Sequence, residues 1–343
     1  MRAGRNTTSH QVDQRRASWT TRLRWAAVAA ILALVALNLI AYRHAYAMTH
    51  FAKGGRRTPG IERLGTAQRL GVLFTGAVVP RPVNTRTPAD MGLPFERHVF
   101  SGARGVPLEA WLIPRTDAHA VVAMFHGHAD SKDSLLPAAH ILHRLGYAPF
   151  LVDFHGSGGS GAAETSIGFH EAEDVAAALA YARGLPGSPP VVLYGNSMGA
   201  AAVLKAVGDR HLQPAAIVVE CPFDSLASTV RHRFDAFGLP AFPAAHLLLF
   251  WGGIQERFNP WRFNPVDSAA GIESPTLLMN GGRDPWVSER EARAIYERLN
   301  GPKRLQIFPE LGHQSFLRAR RSEWVAVVTE FVAVHVHRAP AAD

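Results

Sequence analysis

A single cysteine, Cys221, occurs in the 343 residues, which rules out an intrachain disulfide, a CxxC redox pair and a multi-cysteine zinc site. A cationic face on the folded part is also lacking. The formal charge is +8, yet residues 1–72 hold twelve Lys/Arg against two Asp/Glu, which leaves 24 basic and 26 acidic residues in 73–343. Nucleic-acid binding needs a basic surface on the domain itself, so no nucleic-acid partner is expected. There is no internal repeat of the solenoid kind. The glycine-rich stretch Gly156–Gly161 has no lysine of the GxxxxGK[ST] type and follows the wrong strand for a dinucleotide fold. The seventeen histidines are scattered, and pairs such as His140/His143 and His335/His337 are read as surface or packing residues. Neither a cofactor nor a metal is expected.

Long apolar runs are equally scarce; there is one. Residues 25–42 read WAAVAAILALVALNLIAY, with Asn38 the only strongly polar member. As a helix it spans ~27 Å, close to the hydrocarbon thickness of a bilayer. Trp25, Tyr42 and Tyr46 stand at its ends, where amphipathic rings favour the interface. Arg2, Arg5, Arg15, Arg16, Arg22 and Arg24 precede it, whereas Arg43, Lys53, Arg56 and Arg57 follow. The bias places the N-terminus in the cytoplasm and the rest of the chain on the outer side. The alternative is secretion after signal cleavage, because Ala45-Tyr46-Ala47 fits a small-x-small site. The organisation expected is therefore a basic arm over 1–24, a transmembrane anchor over 25–47, a Gly/Pro-rich linker over 48–94 and a folded domain over 95–338. The polar arm is expected to be disordered over 1–22, and the linker to wrap onto the domain.

From residue 95 the pattern is regular. Arg97–Ser101 and Pro107–Ile113 read as a hairpin around Gly102-Ala103-Arg104-Gly105. Short, nearly continuous apolar runs then alternate with helical stretches, as a mostly parallel sheet covered by helices on both faces requires. The rhythm breaks from about 221 to 274, where Pro240, Pro243, Pro260 and Pro265 and the run His246–Trp251 mark an insertion suited to a lid.

Gly195-Asn196-Ser197-Met198-Gly199 lies between the apolar strand Val191–Tyr194 and a helix of small residues. A strand–turn–helix context of this kind presents a serine hydroxyl at the C-terminal edge of the sheet. Such a hydroxyl needs a base beside it. His313 alone among the downstream histidines occupies a short loop after a strand, and Asp284 follows the preceding strand through Gly281-Gly282. Asp224 is the rival acid. The expected catalytic set is thus Ser197, Asp284 and His313, with backbone N–H groups of Met198 and His128 as the oxyanion hole. His126 is expected to brace its loop rather than to react.

These motifs, His126-Gly127, Asp153 with its Gly/Ser loop, Gly195–Gly199, Gly282-Arg283-Asp284 and Gly312-His313, together resemble the α/β-hydrolase superfamily. In particular they are similar to its serine aminopeptidase-like and monoglyceride-lipase-like branch. The resemblance covers about 240 residues and departs from the family at His155, where arginine usually follows Asp-Phe. It implies a serine hydrolase acting on a small-molecule acyl ester, amide or thioester through an acyl-enzyme. A peptidase acting on exported peptides, and a non-catalytic binding module on the same fold, are the alternatives.

Overall fold

The computed structural model describes residues 7–59, 64–187, 189–236 and 238–336. The first six residues of the expected basic arm, and the last two of the expected domain, lie outside the described residues. Eight strands form one sheet: β1 (Glu96–Ser101), β2 (Pro107–Leu112), β3 (Val121–Phe125), β4 (Ala148–Val152), β5 (Val191–Asn196), β6 (Ala216–Glu220), β7 (Thr276–Gly281) and β8 (Lys303–Phe308). The order is β1-β2-β4-β3-β5-β6-β7-β8, antiparallel as far as β4 and parallel beyond it. Both faces of β3, β4, β5 and β6 are buried, which is why their sequences do not alternate.

Helices in chain order are α1 (Thr7–Thr49), α2 (Thr66–Thr75), α3 (Leu136–Arg144), α4 (Glu171–Arg183), α5 (Met198–Arg210), α6 (Leu226–Ala236), α7 (Ala244–Glu256), α8 (Pro265–Ser268), α9 (Glu289–Arg298), α10 (Phe316–Ala319) and α11 (Arg321–Val336). Two apolar layers result. One packs α4, α5 and α9 on the face carrying Phe125, Phe150 and Leu193. The other packs α3 and α11 on the face carrying Val122, Leu151 and Tyr194. The insertion contributes α6 and α7, which form a third small cluster with Phe223 and Phe263 above the C-terminal edge of the sheet.

The N-terminal region differs from the expected disordered arm, because α1 runs back to Thr7. No glycine or proline interrupts residues 7–49, and extending an existing helix avoids a new nucleation cost. Its segment Trp19–Thr49 is long and apolar enough to cross a membrane, with a mean hydropathy of 2.2. Only the last part docks. Ala41, Ala45 and Thr49 are buried at i, i+4 and i+8, Trp251 Nε1 donates to Asn38 Oδ1 at 3.3 Å, and Gln255 Nε2 donates to the Tyr42 carbonyl at 3.1 Å.

The stretch expected as a linker lies along the glycine-rich loop after β4. Arg81 donates to the carbonyls of Gly158 at 2.9 Å and Ala162 at 3.1 Å, and Asn84 Nδ2 donates to Asp153 Oδ2 at 2.8 Å. Beneath this loop Lys132 is fully buried, paired with Glu109 Oε1 at 2.8 Å and with Asp153. Gly158 has φ +50, and a Cβ there would collide with the Asp153 carboxylate, so only glycine lets the loop close on the charge. Removing one partner from a buried ion pair strands the other. Lys132→Met is therefore expected to destabilise the fold by about 3–5 kcal/mol. Chemical denaturation checks this, with a shifted midpoint and an unchanged slope.

Candidate active site

β5 is buried along Val191–Gly195 and delivers Ser197 to the edge of the sheet just before α5 begins at Met198. Ser197 has φ 52 and ψ −113, a conformation that costs a non-glycine residue about 1–3 kcal/mol. Its N–H donates to the Glu220 carbonyl at 2.8 Å, which ties the turn to the end of β6. A Cβ on Gly199 would lie 2.5 Å from the Phe125 carbonyl oxygen, so the helix reaches β3 only because the residue is glycine.

The structure brings Ser197, Asp284 and His313 together. His313 Nε2 is 3.0 Å from Ser197 Oγ, and His313 Nδ1 is 2.7 Å from Asp284 Oδ2. The Asp284 carboxylate also accepts the backbone N–H groups of Trp286 at 2.8 Å and Val287 at 3.0 Å through Oδ1. Three hydrogen bonds thus fix the orientation of the acid. Asp224, the rival acid, instead accepts the Ser228 hydroxyl within the insertion.

Met198 follows the serine as the first residue of α5, and Gly127, next to His128 in the chain, passes against Ser197 and Asn196. Among the described residues no acceptor takes the backbone N–H of Met198 or of His128. The His128 ring points away from the serine, and its Nε2–H donates to the Met48 carbonyl of α1 at 3.2 Å. Burial pushes its pKa down, the Arg233 and Arg57 charges add to this, and the value falls to about 4. The ring is therefore neutral near pH 7. His126, fully buried, braces the same loop: its Nδ1 lies 2.8 Å from the Gly127 carbonyl and its Nε2 accepts the Phe154 N–H at 3.2 Å.

Three features near the site were missed from sequence. The Cys221 thiol, one ring nitrogen of His313 and one carboxylate oxygen of Asp284 lie within 4.8 Å of one another. Burial, with the neighbouring Asp284 and Glu220 charges, pushes the thiol pKa well up, so the thiolate that a soft metal would require is disfavoured. Both ring nitrogens of His313 are already engaged, which suits the cluster to proton relay rather than cation binding. A second feature is an apolar slot of ≈ 40 Å³ lined by Ala45, Met48, Leu226, Val230, Leu248 and Gly252. Its walls come from α1, α6 and α7, elements too far apart in the chain for periodicity to connect them.

The third is His155. Its Nδ1 pairs with Asp174 Oδ2 at 2.5 Å and its Nε2 lies 3.7 Å from Glu171 Oε1. The departure at 155 signalled only an altered loop; the two carboxylates on α4 give it a physical content.

The comparisons agree with this geometry. The family described as serine aminopeptidase, S33, matches residues 116–250. The chain has the α/β-hydrolase fold. Among relatives of this hydrolase, "Uncharacterized protein YqkD" of Bacillus subtilis is 24% identical over 238 residues, covering 68% of this chain and 78% of that one. A monoacylglycerol lipase of Mycolicibacterium smegmatis is 23% identical, covering 70% and 97%. The solved esterase Pf2001 of Pyrococcus furiosus superposes with a TM-score of 0.64 at 23% identity, covering 75% of this hydrolase and 97% of that chain. At such identities the shared property is the fold.

His155 gives this hydrolase a pH dependence. Burial lowers its pKa, but the Glu171 charge and then Asp174 outweigh burial and carry it up to about 9. A histidine raised above its unfolded value of about 6.5 stabilises the fold fully below that pH, and the contribution is lost as pH rises through the folded value. Stability is expected to fall by up to ~3 kcal/mol between about pH 6.5 and pH 9. His155→Gln should flatten that slope in denaturation midpoints measured across the window.

Proposed function

We propose that this chain is a membrane-anchored serine hydrolase that cleaves acyl esters through an acyl-enzyme. The observation that supports this most directly is the continuous relay Ser197–His313–Asp284, with contacts of 3.0 and 2.7 Å, set at a strained turn. Ser197 Oγ attacks the carbonyl carbon while His313 Nε2 takes its proton, and Asp284 holds the imidazole and balances the imidazolium. The Met198 and His128 N–H groups donate to the carbonyl oxygen as negative charge builds on it. His313 then returns the proton to the departing alcohol. Water, deprotonated by the same nitrogen, frees the acid and restores Ser197.

The small apolar slot bounded by Leu226, Val230 and Leu248 lies within the insertion, and an apolar insertion of this kind favours esters with an apolar acyl group. Membrane attachment rests on α1. Upstream of Asn38 the helix side chains Trp25, Ile31, Leu32, Leu34 and Val35 are exposed, and residues 19–37 span ~28 Å. The arginines ahead of this stretch, with Arg22 and Arg24 at its N-terminal end, favour a cytoplasmic N-terminus and a catalytic domain on the outer face. Phe242, Phe250 and Ile254 are exposed in the insertion that docks against α1, in keeping with a mouth held close to lipid.

A fluorophosphonate is expected to label the full chain and not Ser197→Ala, and Asp284→Asn should lower turnover of short esters about 10³–10⁴-fold. Labelling that persists in Ser197→Ala, or aminoacyl anilides cleaved in preference to esters, would refute the reading. Gly252 lines the slot with open space where a Cβ would stand. Gly252→Leu is therefore expected to fill the pocket and shift preference to shorter acyl chains, read as the ratio of kcat/KM for hexanoyl over acetyl esters falling about tenfold.

A further inference from the structure

Glu220, the last residue of β6, is buried although it carries a carboxyl group. Tyr194 Oη donates to its Oε1 at 2.6 Å, and Trp324 Nε1 donates to the same oxygen at 2.6 Å. The two donor rings meet edge to face with 6.4 Å between centroids, on the side of the sheet that α11 covers. No step of the hydrolysis uses this side chain. Burying a carboxyl group is costly, and an apolar residue of similar volume would fill the same place in the core.

The partners of Glu220 explain the acid. Tyr194 stands on β5 three residues before Ser197. The Glu220 backbone is paired with Asn196 on one side and with Met279 of β7 on the other. Its carbonyl accepts the Ser197 N–H at 2.8 Å, and the next N–H, that of Cys221, donates to the Met279 carbonyl at 2.9 Å. β7 leads directly into the loop of Asp284, and Trp324 lies in the first turn of α11, which follows the His313 loop through α10. One carboxyl group thus ties together the segments that carry Ser197, Asp284 and His313. Ser197 and Cys221, on either side of that carbonyl bond, both have positive φ, 52 and 49. A strand end flanked by two strained residues relaxes unless its surroundings hold it.

We propose that Glu220 is a positioning residue: its side chain, held by Tyr194 and Trp324, fixes the end of β6 and with it the alignment of Ser197 with His313 and Asp284. Burial raises its pKa while the two hydrogen bonds oppose this, which shifts the group toward the neutral form that glutamine imitates. A small displacement of a reacting group costs turnover steeply, whereas binding of the ester is little altered. The effect on turnover rests on the serine hydrolase reading above; the alignment itself does not.

The test uses the full chain in non-ionic detergent with 4-nitrophenyl butyrate as substrate. Glu220→Leu removes the acceptor and is expected to lower kcat about a hundredfold, with KM changed less than about threefold. Glu220→Gln keeps a carbonyl oxygen in place and should return kcat to within about fivefold of the unaltered chain. Tyr194→Phe and Trp324→Phe each delete one donor; each should lower kcat about tenfold in the unaltered chain and not further in Glu220→Leu. The low-field proton resonance of the His313–Asp284 bond, followed with isotope-labelled histidine, reads the alignment without turnover. It should persist in Glu220→Gln and broaden or move upfield in Glu220→Leu. Unchanged kcat and resonance in Glu220→Leu, a loss expressed in KM alone, or Glu220→Gln as slow as Glu220→Leu overturns the proposal. Where Glu220→Leu does not fold, Tyr194→Phe, which removes one oxygen atom, decides, and an unchanged kcat overturns it. A resonance that depends on Glu220 in a chain that cleaves no ester would remove the hydrolase reading and leave the positioning role standing.

Discussion

Ser197 can hold a positive φ only because β5, α5 and β3 approach more closely than side chains allow. The turn is held from three directions: the Glu220 carbonyl accepts its N–H, Gly199 passes against the Phe125 carbonyl, and the Ala201 N–H bonds back to the Ser197 carbonyl at 3.0 Å. Every other part of the site is placed relative to that turn. β7 and β8, two and three strands away, end on the same edge and carry the loops of Asp284 and His313, while β3, the neighbour of β5, carries Gly127 and His128. The sheet therefore acts as a rigid base whose register aligns four loops, and the strain at one residue is distributed over the packing of a large core.

Much of this was readable from the chain because the fold imposes an order. Parallel strands end on one edge, so Ser197, Asp284 and His313, each just past an apolar run, had to meet there. Strand positions were equally legible, since burial on both faces leaves continuous apolar runs. What escaped was whatever depends on contact between elements remote in sequence. Nothing in the sequence around Lys132 marks it as buried; Glu109 and Asp153 close around it only in the fold. The docked end of α1 looked like membrane segment throughout, because a helix packed on α7 and a helix in lipid need the same apolar residues.

His155 shows how a departure from a family pattern is absorbed. An arginine carries its charge regardless of surroundings, whereas an imidazole carries one near neutrality only if its environment supplies negative potential. Glu171 and Asp174, one turn apart on α4, provide that potential, while Thr165 donates to the same Oε1 of Glu171 at 2.5 Å and Ser166 donates to its Oε2 at 2.6 Å. Charge complementarity at the loop is preserved, but a group that titrates has replaced one that does not.

The end of α1 is both a wall of the slot and, through the Met48 carbonyl, the acceptor for the ring of His128. α1 and the loop of His128 are thus continuous along one rod, with no slack between them. A tether of flexible chain would let an enzyme roam a shell of solvent above a bilayer; if α1 anchors the chain as proposed, a rod would confine it to a fixed height and bearing. Encounter would then reduce to lateral diffusion in two dimensions, and any force that tilts or draws on the rod would be transmitted directly to the loop of His128.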